Sequence, residues 1–283
     1  MKRLLCAMVL IYFTILLPSY SLAEDKGKVK IVYVEWASEV VSTNVIKVVL
    51  EELGYQVKII PVSAAAMWES IGGGDADGLV AAWLNTTHGH YFEAVKNKVE
   101  DLGPNLQGTR IGLVVPDYVP IKSVKELNQN ADKFEGEIIG IDPGAGLMSK
   151  TELVMKTYQL DKLKLVEGSG ATMTASLADA IRNKRWIVVT GWTPHWMFSR
   201  WKLKYLDEPN GIYDTTGHIS TIVRKGLKED MPEVYQVLDK FSWTAPDMEQ
   251  IMVWNEEKGA DPYENAKRWV HENPDKVKKW TTP

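Results

Sequence analysis

Cysteine is all but missing from this chain of 283 residues: the only one, Cys6, sits close to the start. Lys2 and Arg3 precede an uncharged run, Leu4 to Leu17, followed by Pro18, Ser21-Leu22-Ala23 and the polar Glu24-Asp25-Lys26-Gly27. A charged start, an apolar stretch too short to span a bilayer and a small-residue cleavage site together read as a secretory leader, residues 1–23, cut near Ala23. Cys6 lies too early to carry a lipid at the new N-terminus and leaves with the leader. The mature chain then has no disulfide, no thiolate nucleophile and no thiol-based metal site, and an oxidising compartment poses it no problem. An exported protein of the periplasm is expected.

Other absences narrow the function. No second apolar run is long enough to cross a membrane. The formal charge is −4, Lys2 and Arg3 leave with the leader, and no basic stripe stands out, which argues against nucleic acid. There is no G-x-S-x-G elbow and no serine clearly paired with a histidine and a carboxylate. Ser149, not glycine, precedes Lys150-Thr151, so the P-loop spacing fails, and G-x-G-x-x-G is missing as well. His88-Gly89-His90 invites a metal but lacks a third ligand at convincing spacing. Asp75, Asp77 and Glu39 each have an ordinary role open to them as turn or surface residues, and Met67, Met148, Met155, Met173 and Met197 read as core filling. Neither catalysis nor a resident cofactor or metal is expected.

What the chain has instead is tryptophan, eleven against five phenylalanines. Trp36 ends Lys30-Ile31-Val32-Tyr33-Val34-Glu35-Trp36, Trp83 ends Leu79-Val80-Ala81-Ala82-Trp83, and Trp192 ends Trp186-Ile187-Val188-Val189-Thr190-Gly191-Trp192. Each stands where a short apolar run stops, at the carboxyl end of an expected buried strand, and open α/β sheets hold their ligands there. Three indole faces around one cleft would suit a cation. The plainer alternative is that they are core aromatics; their repeated position weighs against it.

Strand-length apolar runs at 29–34, 55–60, 78–82, 110–115, 137–141, 163–166 and 186–190 alternate with helical patterns. Those helices are expected over Asn44–Leu53, capped by Ser42 or Thr43, around Met67–Ile71, from Thr86 or Thr87 through Val99, and over 147–158 and 172–184. Ser123-Val124-Lys125-Glu126 has capping-box spacing. From about Glu229 the chain reads as helices, with Pro232, Pro246, Pro262 and Pro274 near their first turns. Repeated βα units imply parallel sheet with helices on both faces. About 260 mature residues suit two lobes better than one core. Crossings at Gly108–Pro120 and Lys204–Arg224 predict a discontinuous first lobe, 27–112 plus 207–283, and a continuous second, 113–206.

Asp142-Pro143-Gly144-Ala145-Gly146-Leu147 follows a strand and opens a helix, so its unpaired N–H groups can attract a carboxylate-sized anion; a mere tight connection is the alternative. His88, five residues after Trp83, can lie on the cleft rim and donate to an anion, or be an exposed helix histidine.

Taken together, Tyr33-Val34-Glu35-Trp36, Ala82-Trp83-Leu84-Asn85-Thr86-Thr87-His88, Gly140-Ile141-Asp142-Pro143-Gly144-Ala145-Gly146-Leu147-Met148 and Thr190-Gly191-Trp192-Thr193-Pro194-His195-Trp196-Met197-Phe198 closely resemble the glycine betaine-binding proteins of ABC importers, the OpuAC-like family. The likeness spans essentially the whole mature chain. It implies an α/β fold of the two-lobed periplasmic binding protein kind (type II), each lobe a mainly parallel sheet flanked by helices. It also implies an aromatic box of Trp36, Trp83 and Trp192 around a trimethylammonium group, and a carboxylate held by the N–H groups of Gly146 and Leu147 and by His88. Some members carry the two halves in the opposite order, so lobe boundaries taken from them must be permuted. The implied partners are a small-molecule betaine and the transmembrane subunits of an ABC permease, with the binding protein itself a monomer and not an enzyme. Choline, carnitine, proline betaine and dimethylsulfoniopropionate are alternatives, Glu39 being the one residue that would favour choline as a counter-charge. A secreted carbohydrate-active enzyme is the rival from another class, although Leu84, Thr193 and Pro194 are not hydroxyl-reading neighbours for the indoles.

Overall fold

The computed structural model describes residues 26–213 and 217–282; the expected leader and Cys6 lie outside the described residues. β1 (Lys28–Tyr33) and β2 (Gln56–Pro61) pair in parallel on either side, in sequence, of α1 (Ala37–Glu52). α2 (Ala64–Gly73) leads to β3 (Gly78–Ala82), which pairs in parallel with β1. Ser63 caps α2 through its hydroxyl, and Gly74 ends it at φ 80°, a left-handed position that costs glycine nothing. After α3 (Gly89–Val95) comes the long β4 (Val99–Pro116). The second unit holds β5 (Glu137–Ile139), α4 (Gly146–Thr157), β6 (Lys164–Val166), α5 (Gly170–Arg182), β7 (Val189–Thr193), α6 (Trp196–Arg200) and β8 (Leu203–Tyr205). β9 (Gly217–Arg224) returns to the first sheet, and α7 (Leu227–Asp230), α8 (Pro232–Lys240), α9 (Ala245–Asn255), α10 (Pro262–Glu272) and α11 (Pro274–Thr281) complete the chain.

The strands run in the order β2-β1-β3-β9-β4-β7-β5-β6, with β8 also on β4. Residues Val99 to Thr109 of β4 pair antiparallel with β9, whereas Arg110 to Pro116 pair with β7 and β8. One strand therefore belongs to both sheets, and the molecule has two lobes joined along it. Within each lobe the βα pairs are parallel, as expected, while every pairing that involves β4 or β9 is antiparallel.

Several elements differ from expectation; β4, expected over 110–115, runs from Val99 to Pro116. α1 begins at Ala37, seven residues before Asn44, so Ser42 and Thr43 are interior and buried rather than caps; small polar residues tolerated inside a covered helix mimic a cap in sequence. α3 ends at Val95, since the chain from Val99 is needed as a strand against β9. β7 starts at Val189 rather than 186, which places Trp192 inside the strand opposite Ile111 instead of just after it.

Not every tryptophan serves a cleft. Phe241, Trp243, Trp269 and Trp280 pack ring against ring, edge-on or tilted except for the stacked Trp269–Trp280 pair, with centroids 5.0 to 6.1 Å apart, and form the core under the C-terminal helices. Trp68 is equally buried beneath α3.

Candidate functional site

Trp36 follows β1 as the residue before α1, Trp83 follows β3, and Trp192 comes from β7 of the other lobe. All three line one cavity between the lobes. Ile111, Ile141 and Ala145 add apolar wall, and Gly146 and Leu147 close it at the start of α4. The N–H groups of Gly146 and Leu147 have no acceptor among the described residues, while Ala145 N–H and Met148 N–H are used by the turn itself. Unpaired N–H groups at a helix start attract an anion, and indole faces attract a diffuse cation. The expected tryptophans and the expected anion turn thus meet in one space.

Glycine at 146 has a steric reason. A Cβ built there would lie 2.8 Å from the Thr87 carbonyl carbon and closer still to its oxygen. Only a residue without a side chain lets the lobes come this close. Two hydrogen bonds cross the same gap: Trp36 Nε1–H donates to Asp142 Oδ2 at 2.8 Å, and Tyr91 O–H donates to the Gly144 carbonyl at 2.9 Å.

His88 is neither on the rim nor exposed; it is fully buried, 0% accessible, behind the wall that Thr87 contributes. Its ring lies 5.9 Å from that of Trp36 and edge-on to Trp68 at the same distance. Nδ1 accepts the Trp83 N–H at 3.2 Å, so a neutral ring carries its proton on Nε2, which has no partner. Burial, with a smaller contribution from His90, pulls the imidazole pKa down to about 3. The side chain is therefore a neutral donor with one free N–H.

Glu39 is not a counter-charge. It is completely buried, Oε2 accepts the Val34 N–H at 2.7 Å, and burial raises its pKa well above the carboxylate range. A neutral carboxylic acid that does not line the cavity offers a cation nothing. Asp77 likewise is structural, accepting from Lys30 N–H and Arg224 Nε–H.

Sequence reasoning missed Ser38. It sits in the first turn of α1, lines the cavity, and its buried hydroxyl has no partner. Its only signal was position, two residues after Trp36. A wider groove lies on the other side of Trp192, flanked by Trp196, Trp201 and Glu256. It holds neither Trp36 nor Trp83, and although Glu35 and Glu256 line it, the Arg200 guanidinium already lies over the Trp196 and Trp201 rings, so it is the poorer cation site.

A cleft that brings aromatic faces and free N–H groups from two lobes together defines a ligand-capturing, two-lobed binding protein. The chain belongs to the family described as the substrate binding domain of the ABC-type glycine betaine transport system, whose model matches residues 27–272. It is 54% identical over 164 residues to the glycine betaine/carnitine transport binding protein GbuC of Listeria monocytogenes, a match covering 57% of this chain and 53% of that one. The chain thus spans about half the length of that curated relative. Among solved structures, lactococcal OpuAC in its closed-liganded conformation with glycine betaine is 44% identical at a TM-score of 0.86, covering 90% of this chain and 100% of that one. The glycine/betaine/L-proline-binding protein ProX of Borrelia burgdorferi is 41% identical at a TM-score of 0.87, covering 90% and 96%. Among the described residues, no helix is long and apolar enough to cross a membrane.

Proposed function

We propose that this chain captures glycine betaine, or a closely related betaine, outside the cytoplasm and hands it to an ABC permease without altering it. The observation that carries the reading is the single cavity lined by Trp36, Trp83, Trp192, Gly146 and Leu147. In it the trimethylammonium group meets the three indoles. The carboxylate meets the N–H groups of Gly146 and Leu147, and we assign it as third donor the unpartnered Nε2–H of His88, which is buried behind Thr87 rather than on the cavity wall.

The magnitudes require both ends. Each cation–π contact contributes roughly 0.5–2 kcal/mol, so three give about 1.5–6 kcal/mol, against about 8 kcal/mol for micromolar binding. The anion end supplies much of the difference. Because the two ends draw on both lobes, the bound betaine favours the closed form, which is the form a permease would recognise. The lobes we assign are 27–112 plus 207–283 and 113–206; the change of partner within β4, between Thr109 and Arg110, falls three residues before the first of these boundaries. Residues 1–23 are assigned as the leader that directs the chain to the periplasm, and the mature protein as a monomer.

The purified mature chain should melt higher with millimolar glycine betaine, by mass action on the native state, and return the ligand chemically unchanged. A flat response to betaines beside a clear shift with an oligosaccharide would move the assignment to carbohydrate.

A further inference from the structure

The side chain of Asp142 does not line the cavity, and its one hydrogen bond among the described residues crosses the cleft to Trp36 Nε1–H. We propose that Asp142 is a positioning residue for ligand capture: by accepting the indole N–H across the gap, its carboxylate latches the two lobes and fixes the plane of Trp36. Only the choice of ligand in this proposal rests on the betaine reading.

An indole N–H lies in the ring plane. Holding Nε1 from the opposite lobe therefore pins the edge of the ring and leaves its face free for a cation. The acceptor is a side-chain oxygen and the pair is partly buried, where a hydrogen bond is stronger than it is in water. Tyr91 makes a second crossing to the Gly144 carbonyl, and Gly146 is the point of closest approach, against Thr87. All three contacts fall on residues 142–146, the turn that also leads into the Gly146 and Leu147 N–H groups. Closure and anion binding thus converge on one short segment, so stabilising one stabilises the other.

Calorimetry with glycine betaine and with choline, and small-angle scattering with and without each, test this on the whole mature chain. Asp142→Ala should weaken both ligands by the same factor, about tenfold or more, and reduce ligand-induced compaction. Asp142→Asn keeps an oxygen acceptor and should stay within about threefold of wild type. Unchanged affinity and compaction in Asp142→Ala would overturn the latch. So would a loss confined to betaine, which would put Asp142 in the anion site, or an Asn variant as weak as Ala, which would make charge and not the bond the agent. If the wild type bound neither ligand, the betaine reading would fall. The latch would still be decided by the Trp36 indole N–H resonance, assigned by its loss in Trp36→Phe. A shift of that resonance in Asp142→Ala supports the bond, and an unchanged resonance refutes it.

Discussion

His88 has one ring nitrogen occupied by the Trp83 N–H and the other free, and its pKa of about 3 keeps it neutral at any pH near 7. Its donor is therefore always present, and in the bond we propose for it the charge comes from the ligand carboxylate. Calorimetry of His88→Ala should show weaker binding of glycine betaine, with any weak affinity for choline hardly changed. Equal losses for both would make the histidine scaffold. Trp192→Ala should cost betaine more than tenfold by removing one wall of the cage and admitting water, and Trp192→Phe should retain part of the affinity. At this scale the indoles were legible because strand ends face the cleft in such sheets. The burial of His88 and of Glu39 was not, since it comes from Trp36, Trp68 and Tyr91 packing over the one and from the Val34 backbone holding the other.

Two N–H groups and a steric limit meet at the start of α4. Proline at 146 would delete one N–H, but any side chain there also meets the Thr87 carbonyl. Gly146→Ala separates the two effects, because alanine keeps the N–H and adds only the Cβ. It should abolish ligand-induced compaction in small-angle scattering and weaken betaine and choline alike; normal compaction would show that the Thr87 segment can move aside. The turn itself was readable from Asp142-Pro143-Gly144-Ala145-Gly146 between a strand and a helix. What it packs against was not, because Thr87 is nearly sixty residues earlier and local pattern carries no such distance. β4 shows the same limit: Gly103-Pro104 and Gly108 punctuate it like loop residues, yet its irregular pairing with β9 absorbs them as register shifts. α1 was mistaken at its start for the converse reason. Ser38, Ser42 and Thr43 look like caps or loop, while the fold buries them inside a helix covered on most sides.

Three buried titratable groups shape the stability of the whole molecule. His88 and His195 are both pulled down to about 3 by burial, from 6.5. Folded they are neutral, so unfolding takes up protons below pH 6.5. Stability is complete above that value and falls as pH drops toward 3, by about 1.4 kcal/mol per pH unit for each. Glu39 acts in the opposite sense: its raised pKa gives stability that is complete below 4.5 and lost as pH rises above it. The histidines and Glu39 act in opposite directions, so urea melts from pH 4.5 to 8 should locate a stability maximum above the acid range in which the histidines take up protons, and Glu39→Gln should flatten its alkaline side. A maximum unmoved in Glu39→Gln, with the same fall on both sides, would contradict these assignments. Trp269→Ala, fully buried in the aromatic core of the C-terminal helices, should cost about 3–5 kcal/mol in the same melts and leave betaine affinity of the folded fraction intact.

The α/β plan was legible from βα alternation, because period and punctuation are local; how closely the lobes meet was not. The account's central claim is that the interlobe cavity recognises a positive charge by its indole faces. It is tested most directly by calorimetry of wild-type chain with glycine betaine and with 3,3-dimethylbutanoate, which has the same shape and carboxylate but a carbon in place of the quaternary nitrogen. The account predicts that betaine binds at least about tenfold more tightly, the lower bound set by three cation–π contacts. Equal affinity for the two would mean that the cavity reads shape alone.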